Sequence, residues 1–474
     1  MPPAVPLAVA PTLAAPPPPP APARARTFTP ASLAASRGAG ERLILIGDCV
    51  YDVAPLFAPG AHPGGAEVLA EVVGGDATDQ FASCHPEWVR ARLGALRVGR
   101  MRGWAPPPAT VAYRALHAAL TAEGQFAATR GYYAAVAARC AALLGAALGA
   151  VACSRGTGAH LLLGAPALGV FWQQLAFAGH DLGHSSVSGS RARDGAVGLL
   201  VGPALTGLSF SWWKATHHAH HVATNSATGD PDVQHTPLLA VSPVFFGSLW
   251  SDFHAKRMGF GSCARASVVR QHLFFYPLMF WARWNLYAQG VMALALGPKD
   301  AAACKGAAAL LVFATWVGAL VAAVGRGEPT LARALAARVA FLCLANGVAG
   351  ALHVQIVLSH FAQPVLAGRA PEAGLSFLEA QLAGTTNIAL PRALDFTFGG
   401  LQYQVEHHLF PRLPAERLRA LAPRVAALCA AHGLAYHSAT FWEANANLYA
   451  SLRATARAAD KLDGRVLDAL LLRG

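Results

Sequence analysis

The sequence predicts a multi-domain protein in which a small α+β domain precedes an all-α integral membrane domain with about four transmembrane helices. Hydrophobic residues make up 54% of the 474-residue chain and charged residues only 13%, whereas soluble proteins carry about 25% charged residues. Four apolar runs after residue 133 each approach the ~20 residues that span a bilayer. The segment before them instead combines short strand-like runs with turn residues.

The first 40 residues are rich in proline and alanine and contain no acidic residue. This composition predicts a disordered extension over 1–40. Its prolines argue against the helical core of a secretory signal peptide, while Arg24, Arg26 and Arg37 leave an organelle transit peptide as an alternative.

The small domain is predicted to begin at residue 41. The runs 43–46 and 50–53 have strand composition and flank a Gly47-Asp48 turn, and a polar-apolar stretch over 66–96 is predicted to be helical. The predicted domains are therefore 41–103 for the small domain, 104–440 for the membrane domain and 441–474 for a C-terminal tail.

The membrane domain is predicted from apolar run length. Four runs are long enough to cross a bilayer: 134–153, 158–179, 304–324 and 337–358. The Gly-rich run 195–210 is short and is predicted to be interfacial or re-entrant. The run 272–297 contains Arg283 and several aromatic residues, which suits the membrane interface. After these, 415–432 is predicted to be an amphipathic helix.

Charge and cysteine content exclude several classes of protein. The net charge is +12, from 37 Lys+Arg and 25 Asp+Glu. No dense basic stripe interleaved with aromatic residues is present, so we expect no nucleic-acid partner, and the basic residues are expected to face anionic lipid on the cytosolic side. None of the eight cysteines forms a C-x-x-C pair, which excludes a zinc-thiolate pattern and indicates reduced thiols.

A first candidate site consists of His62 and His85. His62 opens a His-Pro-Gly-Gly segment, and His85 follows 23 residues later. Two neutral imidazoles on opposite sides of a haem iron leave no open position, which suits electron transfer. Taken alone, the His-Pro-Gly-Gly segment is also compatible with an ordinary turn.

The motifs around these histidines resemble the cytochrome b5 family over about residues 40–100. The resemblance rests on Val50-Tyr51-Asp52-Val53, His62-Pro63-Gly64-Gly65, Gly75-Asp76-Ala77-Thr78 and Phe81 ahead of His85. It implies a haem b group with His62 and His85 as axial ligands. One departure is the region of the first strand, which looks abbreviated and without the family's usual aromatic residue.

A second candidate site comes from three histidine-rich segments with ligand spacing. Their potential ligands are His180 and His184; His217, His220 and His221; and Gln404, His407 and His408. Spacings of i, i+3 and i+4 place side chains on one helical face. Imidazole suits iron, zinc, copper and nickel, and seven imidazoles exceed the three or four ligands of a zinc site, so two metals are predicted.

Further histidines lie outside this spacing. His353 and His360 end the last apolar run, seven residues apart, and are candidates either for ligation or for hydrogen bonding to a ligand or substrate. The remaining histidines are interpreted as structural: His117, His160, His218, His235, His254, His272, His432 and His437. Because the three segments must meet on one side, four crossings place both termini and all three segments in the cytosol.

The three segments resemble the front-end desaturases, the cytochrome b5-fusion branch of the membrane fatty acyl and sphingolipid desaturases. Gln404 opens the third segment as in that branch. Further matching motifs are Asp230-Pro231-Asp232-Val233-Gln234-His235, His353-Val354-Gln355 with His360-Phe361, and Phe398-Gly399-Gly400-Leu401-Gln402 running into Leu409-Phe410-Pro411-Arg412-Leu413-Pro414. The resemblance covers about residues 41–430. One departure is His218, where the family commonly has asparagine.

The resemblance implies a di-iron, O2-dependent desaturase whose fused haem domain relays electrons from an NADH-dependent cytochrome b5 reductase. The implied iron ligands are the seven histidines of the three segments, with Gln404 as a ligand or neighbour. Asp181 and Glu406 are expected to orient imidazoles. A histidine-rich cytosolic cap would cover the helices, with the protein in the endoplasmic reticulum, or alternatively a plastid.

The substrate implied by the resemblance is a lipid, as acyl-CoA, acyl lipid or ceramide. Its chain is expected in an apolar tunnel and its head group near Trp212, Trp213 and Lys214. A fatty acyl chain is the main prediction and the long-chain base of a sphingolipid the alternative. A hydroxylase, a catalytically inactive haem-binding membrane protein and a metal transporter are the remaining hypotheses.

Overall fold

The computed structural model describes residues 26–58, 60–154, 158–297 and 301–472. Its α-helices are α1 Pro30–Gly38, α2 Ala66–Val72, α3 Thr78–Cys84, α4 Pro108–Ala122, α5 Arg130–Ala152, α6 Ala165–Gly183, α7 Arg191–Leu199, α8 Phe210–Val222, α9 Ser262–Val268, α10 Gln271–Leu296, α11 Ala301–Ala323, α12 Leu331–Val357, α13 Phe377–Gly384, α14 Asp395–Phe398, α15 Gln404–Leu409, α16 Ala415–Ala431, α17 Phe441–Asp460 and α18 Gly464–Leu472. Its strands are β1 Arg26–Phe28, β2 Leu43–Ile46, β3 Cys49–Asp52, β4 Arg97–Met101, β5 Trp250–Ser251, β6 Lys256–Arg257, β7 Asn387–Ala389 and β8 Ser438–Thr440.

The N-terminal domain is built on a four-stranded sheet of order β1-β4-β3-β2. β2 and β3 form an antiparallel hairpin around Gly47, whose φ of 67° belongs to the left-handed region that glycine tolerates. Helices α2 and α3 cover this sheet, and Ile44 and Val72 contribute to the shared core. The two predicted strands and the helical region after them are therefore confirmed.

The N-terminal boundary was predicted wrongly. β1 pairs in parallel with β4, and α1 follows it with Thr29 as its capping residue. Phe28 and Leu33 are buried against the sheet, so this segment gains enough apolar contact to be ordered despite its composition. Phe28 also supplies an aromatic residue in a first strand that was expected to be abbreviated. Of the predicted disordered extension 1–40, residues 1–25 lie outside the described residues.

Four helices are long and apolar enough to cross a membrane: Arg130–Ala152, His160–Gly183, Ala301–Ala323 and Leu331–Val357. They correspond to the four predicted runs. α6 and α12 pack closely at Gly169, where an added Cβ would lie 2.6 Å from the carbonyl oxygen of Ala345. The connection between the first two spans includes residues 155–157, which are not among the described residues.

Two other apolar segments do not add a simple crossing. The helical segment Arg191–Thr206 and α8 meet at a bend of 110°, as in a broken span or a re-entrant loop. Gly207 makes this bend with a φ of 75°. α10 is not among the four candidate spans, and it buries Arg283 while leaving Trp281 and Trp284 partly exposed. The bend belongs either to a broken span or to a re-entrant loop, and the interfacial position of α10 stays a prediction.

A cap of shorter helices covers one end of the membrane helices. In α16 the residues Leu418, Leu421 and Val425 are buried on one face, which confirms the predicted amphipathic helix. The predicted C-terminal tail forms α17 and α18. Because Leu448 and Leu452 of α17 are buried in a core shared with α10, this segment is an integral part of the cap.

Candidate haem site and metal centre

His62 and His85 face each other in the N-terminal domain. Their ring centroids lie 6.1 Å apart. The Nδ1 atom of His62 is 3.0 Å from the Gly65 carbonyl oxygen, and that of His85 is 3.1 Å from the Phe81 carbonyl oxygen. Both Nδ1 atoms are thus engaged by backbone, which leaves the Nε2 atoms for a metal between the rings.

The surroundings of the pair fit a haem iron. Imidazole nitrogens bind metal ions at about 2 Å, so the ring separation has room for one iron between them. Burial lowers the pKa of His62 and that of His85, the latter to about 4, so both rings are neutral near pH 7 as coordination requires. A Cβ at Gly64 would lie 3.0 Å from the His62 ring, which explains the need for glycine beside it.

The three histidine-rich segments lie on three helices. The first is the C-terminal end of α6, with His180 in its last turn and His184 as its capping residue. The second occupies α8, whose N-terminus is capped by Ser209. The third is the short helix α15, in which Gln404, His407 and His408 are all buried. Helical periodicity therefore presents each segment's histidines on one face.

Five of the predicted ligands converge into one group that can hold a metal ion: His180, His184, His217, His221 and His407. The Nε2 atom of His407 lies 3.0 Å from the Nε2 atoms of His180 and His221. His221 and His217 approach similarly, at 3.1 Å. Ring nitrogens this close, with no carboxylate between them, have the spacing of neighbouring ligands bound at about 2.1 Å to one ion.

A second group consists of His220, His360 and His408. Their Nδ1 atoms are engaged by Asp230, by the Gly384 carbonyl and by the Gln381 amide oxygen. This leaves the Nε2 atoms to face one another, and that of His408 is buried without a hydrogen-bond partner among the described residues. The His408 ring stacks on His221 of the first group at 4.3 Å, so the two groups are adjacent.

Partners outside the two groups hold the imidazoles in place. Asp181 lies 3.3 Å from His180 Nδ1 and accepts a 2.6 Å hydrogen bond from Tyr133. This agrees with its predicted orienting role. Glu406 differs from expectation, because its carboxylate accepts hydrogen bonds from Asn387 and Tyr436 and contacts neither adjacent imidazole. It anchors α15 to the cap instead.

The remaining candidate residues, Gln404, His353 and Trp213, occupy different positions relative to the two groups. Gln404 is buried, and its side chain is near enough to His360 to oppose the lowering of that ring's pKa by burial, so it lies beside the second group. His353 joins neither group, and its Nδ1 atom lies 3.1 Å from the Gly350 carbonyl oxygen. Trp213 stacks on the His217 ring with 4.7 Å between the ring centroids, so it packs against the metal centre. The head-group contact expected at Trp212, Trp213 and Lys214 stays a prediction.

In most of the metal centre, electrostatics favour the neutral form of the histidine rings. Burial, together with neighbouring imidazoles, holds the pKa values of His217, His221 and His407 well below their usual range. His220 is different, since burial disfavours its charge but the Asp230 carboxylate raises its pKa to about 9. A metal ion bound there would replace this proton. Asp230 was predicted only as part of a motif, and its contact with His220 was not foreseen.

The haem domain contacts the membrane domain at several points, including Val222 of α8, which packs against the haem domain's core. Arg369 Nη1 donates 3.2 Å hydrogen bonds to the carbonyl oxygens of Ala70, Glu71 and Val73 at the end of α2. Arg114 of α4 pairs with Asp79 of α3 at 2.7 Å. These contacts dock the haem domain against the membrane domain.

Comparisons with known proteins agree with this geometry. The family model described as fatty acid desaturase matches residues 157–440, and the one described as cytochrome b5-like heme/steroid binding domain matches residues 29–102. The second match begins before residue 41, as the sheet does.

Several relatives match most of the chain. Delta(8)-fatty-acid desaturase 2 of Arabidopsis thaliana is 37% identical over 91% of this chain and 94% of its own length. Acyl-lipid (9-3)-desaturase of Borago officinalis is 34% identical over 88% of this chain and 90% of its own length. Delta 8-(E)-sphingolipid desaturase of Komagataella phaffii is 35% identical over 60% of this chain and 52% of its own length. The chain therefore belongs to the fatty acid desaturase family, in the front-end branch that carries a fused cytochrome b5 domain.

Proposed function

We propose that this desaturase holds two iron ions in its two imidazole groups and introduces a double bond at carbon 8 of a lipid-linked fatty acyl chain. The observation that carries the proposal is the convergence of eight imidazoles, seven of them buried and that of His217 partly buried, into two adjacent groups. The first ion would be held by His180, His184, His217, His221 and His407, and the second by His220, His360 and His408, with Gln404 beside it. The iron pair would supply the activation of O2.

The reaction removes two hydrogen atoms from adjacent methylene groups. Together with two electrons and two protons, these reduce one O2 to two waters. The electrons would arrive one at a time through the haem b held by His62 and His85, and an NADH-dependent cytochrome b5 reductase would supply them. Fusion keeps the donor at high effective concentration near the metal centre.

The chain's own residues prepare the centre for this chemistry. Asp230 and Asp181 hold the Nδ1 side of His220 and His180, which directs their Nε2 atoms inward. Burial excludes water and keeps the rings of His217, His221 and His407 unprotonated by lowering their pKa values.

The position of the new double bond is supported by the relatives. Four of them are named as Delta(8)-fatty-acid desaturases, which favours carbon 8 and a fatty acyl chain. The long-chain base of a sphingolipid is the second candidate, because three further relatives are named Delta 8-(E)-sphingolipid desaturase. The carrier would be acyl-CoA or an acyl lipid in the first case and ceramide in the second.

The four candidate spans belong to an integral membrane protein. We place it in the endoplasmic reticulum with the haem domain and the three histidine segments in the cytosol. An even number of crossings between α6 and α15 supports a common side for these segments. Protease access in sealed microsomes tests this, since a cytosolic haem domain is cut without permeabilisation.

Lipid analysis of yeast that expresses the chain tests the proposed reaction. Supplied fatty acids and endogenous long-chain bases are profiled together by mass spectrometry, with His407→Ala as the inactive variant and the exposed His437→Ala as control. A carbon-8 double bond in acyl chains, lost only in His407→Ala, is the expected result. The same bond in long-chain bases alone would replace the acyl substrate with the sphingoid one. A hydroxylated product would contradict desaturation.

A further inference from the structure

Two adjacent residues of α4 connect the haem domain to the third histidine segment. Arg114 contacts the haem domain, where its Nε and Nη2 atoms donate hydrogen bonds of 2.7 and 3.0 Å to the two carboxylate oxygens of Asp79. Tyr113 contacts the membrane domain, and its hydroxyl donates a 2.8 Å hydrogen bond to the carbonyl oxygen of Leu409, the last residue of α15. Asp79 lies in the first turn of α3, and His85 caps the other end of that helix. α4 therefore joins the helix that carries a haem ligand to the helix that carries the third histidine segment.

The ion pair of Arg114 is bidentate and extends into the haem domain. Asp79 is only 4% exposed. The same Nη2 atom donates a 3.0 Å hydrogen bond to Asp76, which accepts another of 2.9 Å from the backbone N–H of Thr78. The Thr78 hydroxyl in turn accepts a 2.8 Å hydrogen bond from the backbone N–H of Gly47 in the hairpin. Separation of the domains would leave a buried carboxylate without its guanidinium, so this pair strongly favours the docked state.

A second arginine holds the haem domain at α2. Arg369 is buried, and its Nη1 atom donates hydrogen bonds of 3.2 Å to the carbonyl oxygens of Ala70, Glu71 and Val73. Carbonyls at the end of a helix lack partners within the helix and carry partial negative charge, which suits a guanidinium. Because α2 and α3 are held separately, the contacts restrain the orientation of the haem domain as well as its position.

The covalent connection alone would not set this orientation. Residues 102–107 link β4 to α4. A linker of this length keeps the haem domain at high effective concentration beside the membrane domain but leaves many orientations open. Electron transfer depends on the separation of donor and acceptor, so only some of these orientations are productive. The arginine contacts select one of them.

We propose that Arg114 is a positioning residue that holds the haem domain in one docked position, from which electrons pass to the metal centre without movement of the domain. The inference rests on the proposed haem and iron ligands. The step moves one electron from reduced haem to one oxidised iron ion, while no bond forms or breaks and no proton moves. Arg114 acts through Asp79 and α3, and thereby on the position of His85.

Spin-label distances test the docked position independently of electron transfer. Trp88 in the haem domain and His437 in the membrane domain are both exposed. Labels are attached at Trp88→Cys and His437→Cys in the full chain, with the exposed native cysteines replaced by serine. One narrow distance distribution is expected when Arg114 is present. Arg114→Glu, which brings a third carboxylate to the other two, should broaden the distribution toward longer distances.

Three further variants separate docking from folding. Arg424→Ala is the matched control, because Arg424 forms an exposed ion pair with Glu123 at the C-terminal end of the same helix α4. It should leave the distribution narrow. Arg114→Lys keeps the charge without the bidentate geometry and should be intermediate. Asp79→Asn breaks the pair from the haem domain's side and should also broaden the distribution.

Photochemical reduction of the haem tests the electron step. Oxidised, iron-loaded protein without oxygen or lipid receives less than one electron per chain from a light-activated flavin, and the reduced-haem absorbance then decays. In wild type this decay should be independent of solvent viscosity. In Arg114→Glu it should be slower by about tenfold or more, as expected for loss of a buried charged partner at an interface. It should slow further as glycerol is added, because each transfer then waits for the domain to dock again. Haem spectrum and iron content should be unchanged.

Two results would overturn the proposal: a narrow label distribution in Arg114→Glu, or haem oxidation in that variant within twofold of wild type at every viscosity. Equal effects in Arg424→Ala would overturn it as well. Failure of the haem and iron assignments has a different signature, since the haem of wild type would then not be oxidised at all. A label distribution that is narrow in wild type and broad in Arg114→Glu would still support the docked position.

Discussion

The Asp230 carboxylate lies 2.8 Å from Nδ1 of His220 and is completely buried. The same carboxylate accepts backbone hydrogen bonds from Asn225 and Asp232, both at 2.8 Å. Asp230 therefore fixes both the orientation of His220 and the turn that follows α8. A carboxylate in this position sets the tautomer of an imidazole and increases its basicity toward a metal.

Asp230→Asn is expected to weaken metal binding in the second imidazole group. The amide preserves the shape of the turn but removes the charge that supports His220, so the iron affinity of the second group and desaturation should each fall by about 10–100-fold, with the total iron content falling toward one ion per chain. Haem content should not change. Elemental analysis together with product analysis measures this. Asp232→Asn is the matched control, since its carboxylate is 3.9 Å from His220 Nδ1. Equal losses in both variants would contradict the specific role of Asp230.

Substitution of His353 and of His360 should show which of the two histidines binds a metal ion. His360→Ala removes one of three imidazoles of the second group, and we expect the iron content to fall toward one ion per chain with loss of activity. His353→Ala should leave iron content near wild type, because His353 lies outside both groups. Iron titration of the purified variants measures this. Loss of iron from His353→Ala alone would reverse the assignment.

The contrast between these two histidines shows where sequence reasoning was limited. Residues seven apart share a helical face only while the helix continues. α12 ends at Val357, so His360 lies in the turn beyond it and points to the cap, where its Nδ1 atom contacts the Gly384 carbonyl. The histidines inside α8 and α15 were predictable because their spacing is local and the helices are intact.

Contacts between distant segments were beyond prediction. The pairing of β1 with β4 joins residues 26–28 to residues 99–101, and no local sequence pattern predicts this pairing. The hydrogen bond between Gln381 and His408 likewise depends on how α13 packs beside α15. The spans, by contrast, follow from apolar run length alone, since the bilayer sets the length of a helix.

Removal of a haem ligand should uncouple the two cofactors. His85→Ala leaves His62 as the single candidate ligand, so the protein is expected to lose the spectrum of bis-imidazole haem and NADH-driven desaturation. Iron in the membrane domain should be retained, because His85 is in neither metal group. Visible spectroscopy and elemental analysis measure the two effects, with exposed His432→Ala as control. A normal haem spectrum in His85→Ala would show that another residue binds the haem.

Stability of the docked haem domain should depend on the protonation of Glu71. Burial at the interface raises the pKa of this carboxyl to about 7, with Asp252, Glu372 and Asp230 adding to the effect and Arg37 opposing it. In the unfolded chain its pKa returns to about 4.5, so the folded state binds more protons between pH 4.5 and 7 and its stability falls as the pH rises through this window.

Glu71→Gln should remove this fall in stability and raise the temperature of haem release above pH 7. Haem absorbance during heating at several pH values measures it, with Glu67→Gln on the exposed face of α2 as the matched control. An unchanged pH slope in Glu71→Gln would assign the titration to another group.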